Sequence, residues 1–383
     1  MKKLFIVMIS AFVICGSSGA LTAKAANPPE ISAKGAVLIS ADTGEIVFEK
    51  NCREKLPMAS TTKIMTTLLC LESGNLDEEF VVDSEAIKVE GSSMGLQEGD
   101  IVTKYALCCG MLLPSGNDAA NAAAVKLAGS IPAFAELMNE RAQQLGLSHT
   151  YFVTPSGLEG EGHGSSAYDM AILAREALKN ETFREICSSE TKKLEFGNPP
   201  YERWLKNTNK LLTMCDGVYG VKTGFTDEAG RCLVSACERG GDDLICVTLN
   251  DRNDWDDHIA MYDYGFETVS AVEAELPENL SLDVVGGVSG KVTLTAGEDG
   301  VSITALAAKP SDLQYTVISS PFVYAPVAAG DELAQLEITY NGREIRRIPL
   351  CAGEEIAKAQ SKDKSKTQNK FKKLLTRLGS IFS

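Results

Sequence analysis

The chain has 383 residues, 44% of them hydrophobic and 23% charged, with a formal net charge of −15. That length holds one sizeable core plus a smaller second domain. The lysines at 2, 3 and 24 and a net +6 over residues 362–383 leave the intervening body near −24, which argues against nucleic acid as a partner.

The first 25 residues read as an export signal. Lys2 and Lys3 supply charge, LFIVMISAFVIC an apolar run, and AKA at 23–25 the small-x-small pattern of a cleavage site. An apolar run of twelve residues is too short to cross a bilayer, which takes about 20. Removal of residues 1–25 as a signal peptide is expected, with the cut after Ala25 or Ala26.

GAVLISADTGEIVFEKN predicts two strands turning at Asp42-Thr43-Gly44. Residues 60–72 predict a helix, with Ile64, Met65, Leu68 and Leu69 at helical spacing and Ser73-Gly74-Asn75 ending it. TKYALCCGMLL and NDAANAAAVKLAG predict two more helices around a break at Pro114-Ser115-Gly116, and residues 131–146 a fourth. Ser166 and Asp169 have the spacing of a capping box opening the helix AYDMAILAREAL. From about residue 210, GVYGVKTGF, RCLVSACERG and DDLICVTLND read as an antiparallel meander, closed by a helix over DWDDHIAMYDYGFETV.

This order predicts an α/β catalytic domain over 29–270, an antiparallel sheet covered by helices with a helical lobe inserted. Short strand candidates between 281 and 350 predict a small all-β, sandwich-like domain over 275–352. That stretch has no histidine and no cysteine before Cys351, so its expected work is positioning and not chemistry. A polar, basic linker over 353–369 then leads to FKKLLTRLGSIFS, where Phe371, Leu374, Leu375, Leu378, Ile381 and Phe382 recur at helical spacing. Over 370–383 this predicts an amphipathic helix lying on an anionic membrane surface.

The eleven cysteines include no C-x-x-C, and His149, His163 and His258 lie far apart, so neither a metal nor a cofactor is expected. Cys70, Cys108 and Cys246 sit in apolar runs and read as small core residues. The pairing stays open between disulfides in an exported chain and free thiols in a reducing habitat.

Three serines stand three residues before a lysine: Ser60 with Lys63, Ser189 with Lys192, and Ser361 with Lys364. One turn of helix places such a pair on one side. The hydroxyl becomes a nucleophile only if the lysine is neutral, which burial and nearby positive charge favour. A helix start at Ser60 adds a field that favours negative charge there. The competing reading is an N-cap serine with a solvated lysine. Ser-Gly-Asn occurs at 115–117 and again at 73–75, where a helix stop explains it. Lys222-Thr223-Gly224 occurs once, in a strand, offering an ammonium and a hydroxyl beside a glycine that permits close backbone approach.

The ordered set STTK, SGN and KTG resembles the active-site motifs of the low-molecular-weight penicillin-binding proteins. These are serine D-alanyl-D-alanine carboxypeptidases of peptidase family S11. The stretches SSMGLQEGD, LLPSGNDAANAAA, TPSGLEGEGHGSSAYDMA, NTNKLL and GVYGVKTGFTDEAGRCLVSA extend the resemblance over roughly residues 29–266, and the β domain and basic tail fit the same family.

The resemblance implies a β-lactamase/transpeptidase-like catalytic domain that removes the terminal D-alanine from peptidoglycan pentapeptide stems and is acylated by β-lactam antibiotics. It implies Ser60 as nucleophile, Lys63 as its base and Ser115 as proton relay to the leaving amine. Asn117 would hold the substrate's peptide amide, and Lys222 and Thr223 its terminal carboxylate. The N–H groups of Ser60 and Phe225, beside Gly224, would form the oxyanion hole. The implied location is the outer face of the cytoplasmic membrane.

Some relatives place an arginine near the start of the last helix, where Arg252 is the candidate here. Glu159 and Glu161 lie where a β-lactamase would carry a deacylating glutamate, but LEGEGHG lacks that family's Glu-x-x-Asn element. A β-lactamase that clears its acyl group quickly, and a wall-binding protein with a relic site, are the competing expectations.

Overall fold

The computed structural model describes residues 6–7, 27–297, 300–306 and 310–359. The cleavage site at 23–25, the linker beyond residue 359 and the amphipathic segment 370–383 lie outside the described residues. The chain divides into two compact units: the described residues of 18–272 with 302–308, and those of 1–17, 273–301 and 309–383.

The larger unit is built on a five-stranded antiparallel sheet in the order Ile46–Lys50, Gly35–Ser40, Asp242–Leu249, Gly230–Arg239, Val218–Thr226. The N-terminal hairpin therefore pairs with the third strand of the late meander, through Leu38 opposite Cys246. Every residue of Gly35–Ser40 is buried, because the sheet is covered on both faces. Val37, Ile39, Val234, Ala236, Ile245 and Val247 face one core. Ala36, Leu38, Leu233, Cys237, Leu244 and Cys246 face another, which contains Met261 and Tyr262. Alternation between two dry faces leaves a continuous apolar run, and that is how these strands read in the sequence.

The helices, in chain order, are α1 (Lys63–Glu72), α2 (Lys104–Leu112), α3 (Asn117–Ala128), α4 (Ile131–Gln144), α5 (Ala167–Ala177), α6 (Glu181–Ser188), the single turn α7 (Leu211–Met214) and α8 (Asp254–Thr268). A 3₁₀ turn, Ala59–Thr62, leads into α1, so Ser60 precedes the α-helix and does not open it. The buried Thr66 hydroxyl in α1 donates to the Pro155 carbonyl at 2.6 Å, which lets a polar residue lie in the core. The expected capping box on α5 is half formed. The Ser166 hydroxyl accepts from Asp169 N–H at 3.1 Å, but the Asp169 carboxylate accepts from His149 N–H and the Thr150 hydroxyl instead.

Two hairpins have no counterpart in the sequence reading: Glu79–Val81 with Ile101–Thr103, and Thr191–Gly197 with Pro200–Lys206. Arg203 on the latter is buried. Its guanidinium donates to Asp100 Oδ2 at 3.0 Å and to the Gly95 carbonyl, between the rings of Phe196 and Tyr201. The hairpin thereby braces the loop that carries Ser92–Leu96 toward the site.

In the smaller unit a seven-stranded sheet runs in the order Ile6–Val7, Leu313–Ser319, Glu332–Tyr340, Arg343–Ala352, Lys291–Ala296, Ser281–Val285, Val323–Tyr324. Its strands alternate: Glu332–Tyr340 buries Ala334, Leu336, Ile338 and Tyr340 and turns the residues between them outward. Among the described residues no helix is long and apolar enough to cross a membrane.

Candidate active site

The sequence around Ser60 brings its hydroxyl and the Lys63 amine into contact. Ala59 adopts φ of +48°, and the 3₁₀ turn that follows leaves Ser60 half-buried while Lys63 is fully buried one turn on. Lys63 Nζ lies 2.8 Å from Ser60 Oγ, 2.7 Å from Asn117 Oδ1 and 2.6 Å from the Ser156 carbonyl oxygen. A neutral amine has two N–H donors and one lone pair. The Asn117 and Ser156 oxygens take the two donors, and the lone pair is left for the Ser60 hydroxyl. Burial holds the Lys63 ammonium well below the ordinary lysine range, and the charge of Lys222 lowers it further against the opposing pull of Asp118. The solvated lysine of the competing reading is ruled out by this burial.

Lys222 and Thr223 lie on the edge strand Val218–Thr226, which packs on the Ala59–Thr62 turn. A Cβ at Gly224 would stand 3.1 Å from the backbone nitrogens of both Ser60 and Thr61, so a side chain there would push the strand and the turn apart by a few tenths of an ångström. Lys222 is buried, which brings its ammonium down to about 7, and its Nζ donates to the Thr223 carbonyl at 2.8 Å. The Thr223 hydroxyl pairs with that of Thr208 at 2.7 Å, and Thr208 N–H donates to the Leu113 carbonyl at 3.2 Å. Thr208 thus ties the Lys-Thr-Gly strand to the segment that delivers Ser115. Phe225 is 63% exposed beyond Gly224, at the open end of the strand.

Ser115 is held at φ of +66° in the break between α2 and α3 and is nearly buried. Its hydroxyl makes no hydrogen bond among the described residues, so the contact with Lys63 from this motif comes from Asn117. Asn117 is itself clamped: its N–H donates to the Ser92 carbonyl and its Nδ2 to the Glu90 carbonyl, both at 2.7 Å. The next residue, Asp118, accepts from the N–H groups of Met94, Gly95 and Leu96 and from the Ser93 hydroxyl. SSMGLQEGD is therefore the partner loop of the Ser-Gly-Asn motif.

The other motif matches have different local settings. Lys192 donates to Glu185 and the Tyr105 hydroxyl while Ser189 donates to the Glu185 carbonyl, so that pair is not in contact. Ser73 donates to the Cys70 carbonyl at the end of α1, a helix stop. Ser361 and Lys364 lie outside the described residues. Glu159, Glu161 and Arg252 are exposed, and none of them hydrogen-bonds to Ser60 or Lys63. Ser156, Thr208 and Asp118 are the site residues that sequence reasoning missed. A group of three or more His, Cys, Asp or Glu side chains able to hold a metal ion is absent among the described residues.

The family model for D-alanyl-D-alanine carboxypeptidase, Peptidase_S11, matches residues 22–253, more than half of the chain, and that for the penicillin-binding protein 5 C-terminal domain matches 266–358. The chain belongs to the S11 D-alanyl-D-alanine carboxypeptidases. Similar proteins include the carboxypeptidase DacF of Bacillus subtilis, 34% identical over 85% of this chain and 86% of that protein. DacC of Escherichia coli is 32% identical over 91% and 90%. Among solved structures, penicillin-binding protein 5 from Haemophilus influenzae superposes with a TM-score of 0.62 at 27% identity, covering 87% of this chain and all of that one. The Streptomyces K15 DD-transpeptidase gives 0.61 at 32%, over 63% of this chain and 99% of its own. The S11 carboxypeptidase assignment carries with it a serine-type hydrolase of peptidoglycan and the two-part fold described above.

Proposed function

We propose that this carboxypeptidase works through a Ser60 acyl-enzyme. The observation that carries the reading is the buried Lys63 amine, bonded to Ser60 with its remaining hydrogen-bonding capacity taken by Asn117 and Ser156. The hydroxyl proton of Ser60 passes to Lys63 Nζ as Oγ attacks the carbonyl of the D-Ala-D-Ala bond. The N–H groups of Ser60 and Phe225, brought close by Gly224, receive the developing oxyanion. Ser115 carries the proton to the departing D-alanine amine, and Asn117 holds the peptide amide. A water then hydrolyses the ester on Ser60.

Lys222 and Thr223 give the reaction its polarity along the chain. A terminal carboxylate that enters this buried region without a cation is costly to desolvate. Beside Lys222 it is paired, and it holds that lysine in its charged form. The purified mature chain should release D-alanine from diacyl-L-Lys-D-Ala-D-Ala, and conversion of the terminal carboxylate to an amide should slow release roughly 10²-fold or more. Equal rates on the acid and the amide would remove Lys222 and Thr223 from substrate recognition.

We further infer that the mature enzyme works outside the cytoplasm, peripheral to the membrane, with residues 370–383 as its foot. The support is charge: a body near −24 would be repelled by anionic lipid, whereas the basic, amphipathic tail is attracted to it. The expected result is salt-sensitive co-sedimentation of the mature chain with anionic liposomes and its loss on truncation after Gln368. Equal binding by both forms would contradict the role of the tail.

A further inference from the structure

Ten cysteines lie in the described chain, all with free thiols. Most are inert by surroundings. Cys70 and Cys108 share a thiol contact but are completely buried, and Cys187, Cys232 and Cys246 are held up as neutral thiols by burial. One pair differs. Cys215 follows α7, just before the Lys-Thr-Gly strand, and Cys237 lies on the neighbouring strand opposite Val218. Both sulfurs converge on one carbonyl: Sγ of Cys237 is 3.5 Å and Sγ of Cys215 4.0 Å from the oxygen of Asp216. The two thiols also act on each other's ionisation.

The pair also has a fixed cation. Arg239 donates from Nη2 to the Cys215 sulfur at 3.1 Å and from Nε to the Asp216 carbonyl at 3.1 Å, while Nη1 is held by Asp263 at 3.0 Å. The Phe266 ring lies 5.0 Å below the guanidinium. The hydrogen bond from Cys237 and the Arg239 charge bring the Cys215 thiol down to about 6, whereas Cys237 moves up as the donor partner. Cys215 retains 7% exposure and Cys237 none, so the group with thiolate character is also the one in contact with solvent.

We propose that Cys215 and Cys237 form a dithiol–disulfide couple, a redox-modification site on the S11 domain that takes small-molecule disulfides as oxidant. The Cys215 thiolate attacks one sulfur of the disulfide, forming a mixed disulfide and expelling one thiolate. The Cys237 thiol, deprotonated as it reacts, attacks the Cys215 sulfur, closes the protein disulfide and expels the second thiolate. The two electrons lost by the cysteines reduce the small disulfide to two thiols, which take up the two protons. Arg239 holds the charge on Cys215 and is a positioning residue for the exchange. The closed bridge fastens the entry of the Lys-Thr-Gly strand to its neighbour. It lies outside the hydrogen-bond network of Ser60 and Lys63, so it acts on stability and leaves acylation unchanged.

The test is incubation of the mature chain with hydroxyethyl disulfide at neutral pH, acid quench and peptide mapping by mass. Wild type should yield Cys215 joined to Cys237, about 2 Da lighter, with no group retained on either. Cys237→Ser should stop at the mixed disulfide and retain one group, about 76 Da, on Cys215. Cys215→Ser should leave Cys237 unmodified. The closed form should melt higher than the dithiol by roughly 5–10 °C. Penicillin labelling of each protein checks that it is folded. The proposal is overturned if folded wild type keeps both thiols after the half-exposed Cys351 has reacted, or if folded Cys237→Ser carries nothing on Cys215.

Discussion

Lys63→Arg should acylate at Ser60 roughly 10²–10⁴-fold more slowly than wild type. The guanidinium stays protonated at every accessible pH and has no lone pair to accept the Ser60 proton. Wild-type acylation should also carry the signature of a neutral amine. Lys63 is held well below the usual lysine range by burial and by Lys222, which favours the neutral amine, and it gains a proton as pH falls. Acylation by a β-lactam should therefore decline toward acid. With a peptide substrate a second limb should appear on the alkaline side. Lys222, brought to about 7 by burial, loses its charge as pH rises and with it the pairing for the terminal carboxylate. kcat/KM for the peptide should rise and then fall with pH, the two macroscopic values belonging to the coupled lysines together. Stopped-flow acylation across pH measures both limbs. A Lys63→Arg enzyme within tenfold of wild type, or a flat acid limb, would contradict the neutral-base role.

The second large effect is expected at Gly157, which lies outside the three active-site motifs. It has φ of +88°, and a Cβ there would lie 1.9 Å from the Ala59 carbonyl oxygen, 2.5 Å from its carbon and 3.0 Å from Ser60 N. Backbone and not a flexible side chain is in the way, so Gly157→Ala must move the nucleophile turn, the Ser156–Gly157 segment, or both. Ser156 supplies the carbonyl that holds Lys63, so either shift changes the Ser60–Lys63 geometry. A misplacement of about 1 Å costs on the order of 10² in rate. Gly157→Ala should acylate about 10²-fold more slowly and lose about 2–4 kcal/mol of stability to strain and overpacking. Acylation kinetics and denaturant unfolding measure the two parts. A variant within twofold of wild type in rate would show that the turn is not held from behind by Gly157.

The central sheet and the helical lobe were legible because burial on two faces writes continuous apolar runs and burial on one face writes a helical period. The hairpin of Thr191–Gly197 with Pro200–Lys206 was not. TKKLEFG and PYERWLK are crowded with charges, because one side of that hairpin is exposed and the side facing the protein is anchored by a guanidinium, Arg203. A buried arginine carries no apolar signal. In the site, the three motifs marked the side chains proposed to react, but their supports lie elsewhere. Ser156 contributes a backbone carbonyl, which any residue could supply, and so leaves no mark on the sequence. Thr208 and Asp118 act through pairings about 15 and 22 residues away along the chain, with Thr223 and Leu96, distances at which spacing says nothing. The half-formed capping box at Ser166 is the converse case: the spacing was present, but a tertiary partner, His149 N–H, took the carboxylate.

The measurement that bears most directly on Ser60 as nucleophile is intact mass after exposure to benzylpenicillin, followed by peptide mapping. Wild type should gain the mass of one penicilloyl group, long-lived and confined to the peptide that carries Ser60, and Ser60→Ala should gain none. An adduct that persists in Ser60→Ala, or that maps to Ser115 or Ser189, would contradict the assignment. Rapid turnover of penicillin with no retained mass would instead show a β-lactamase.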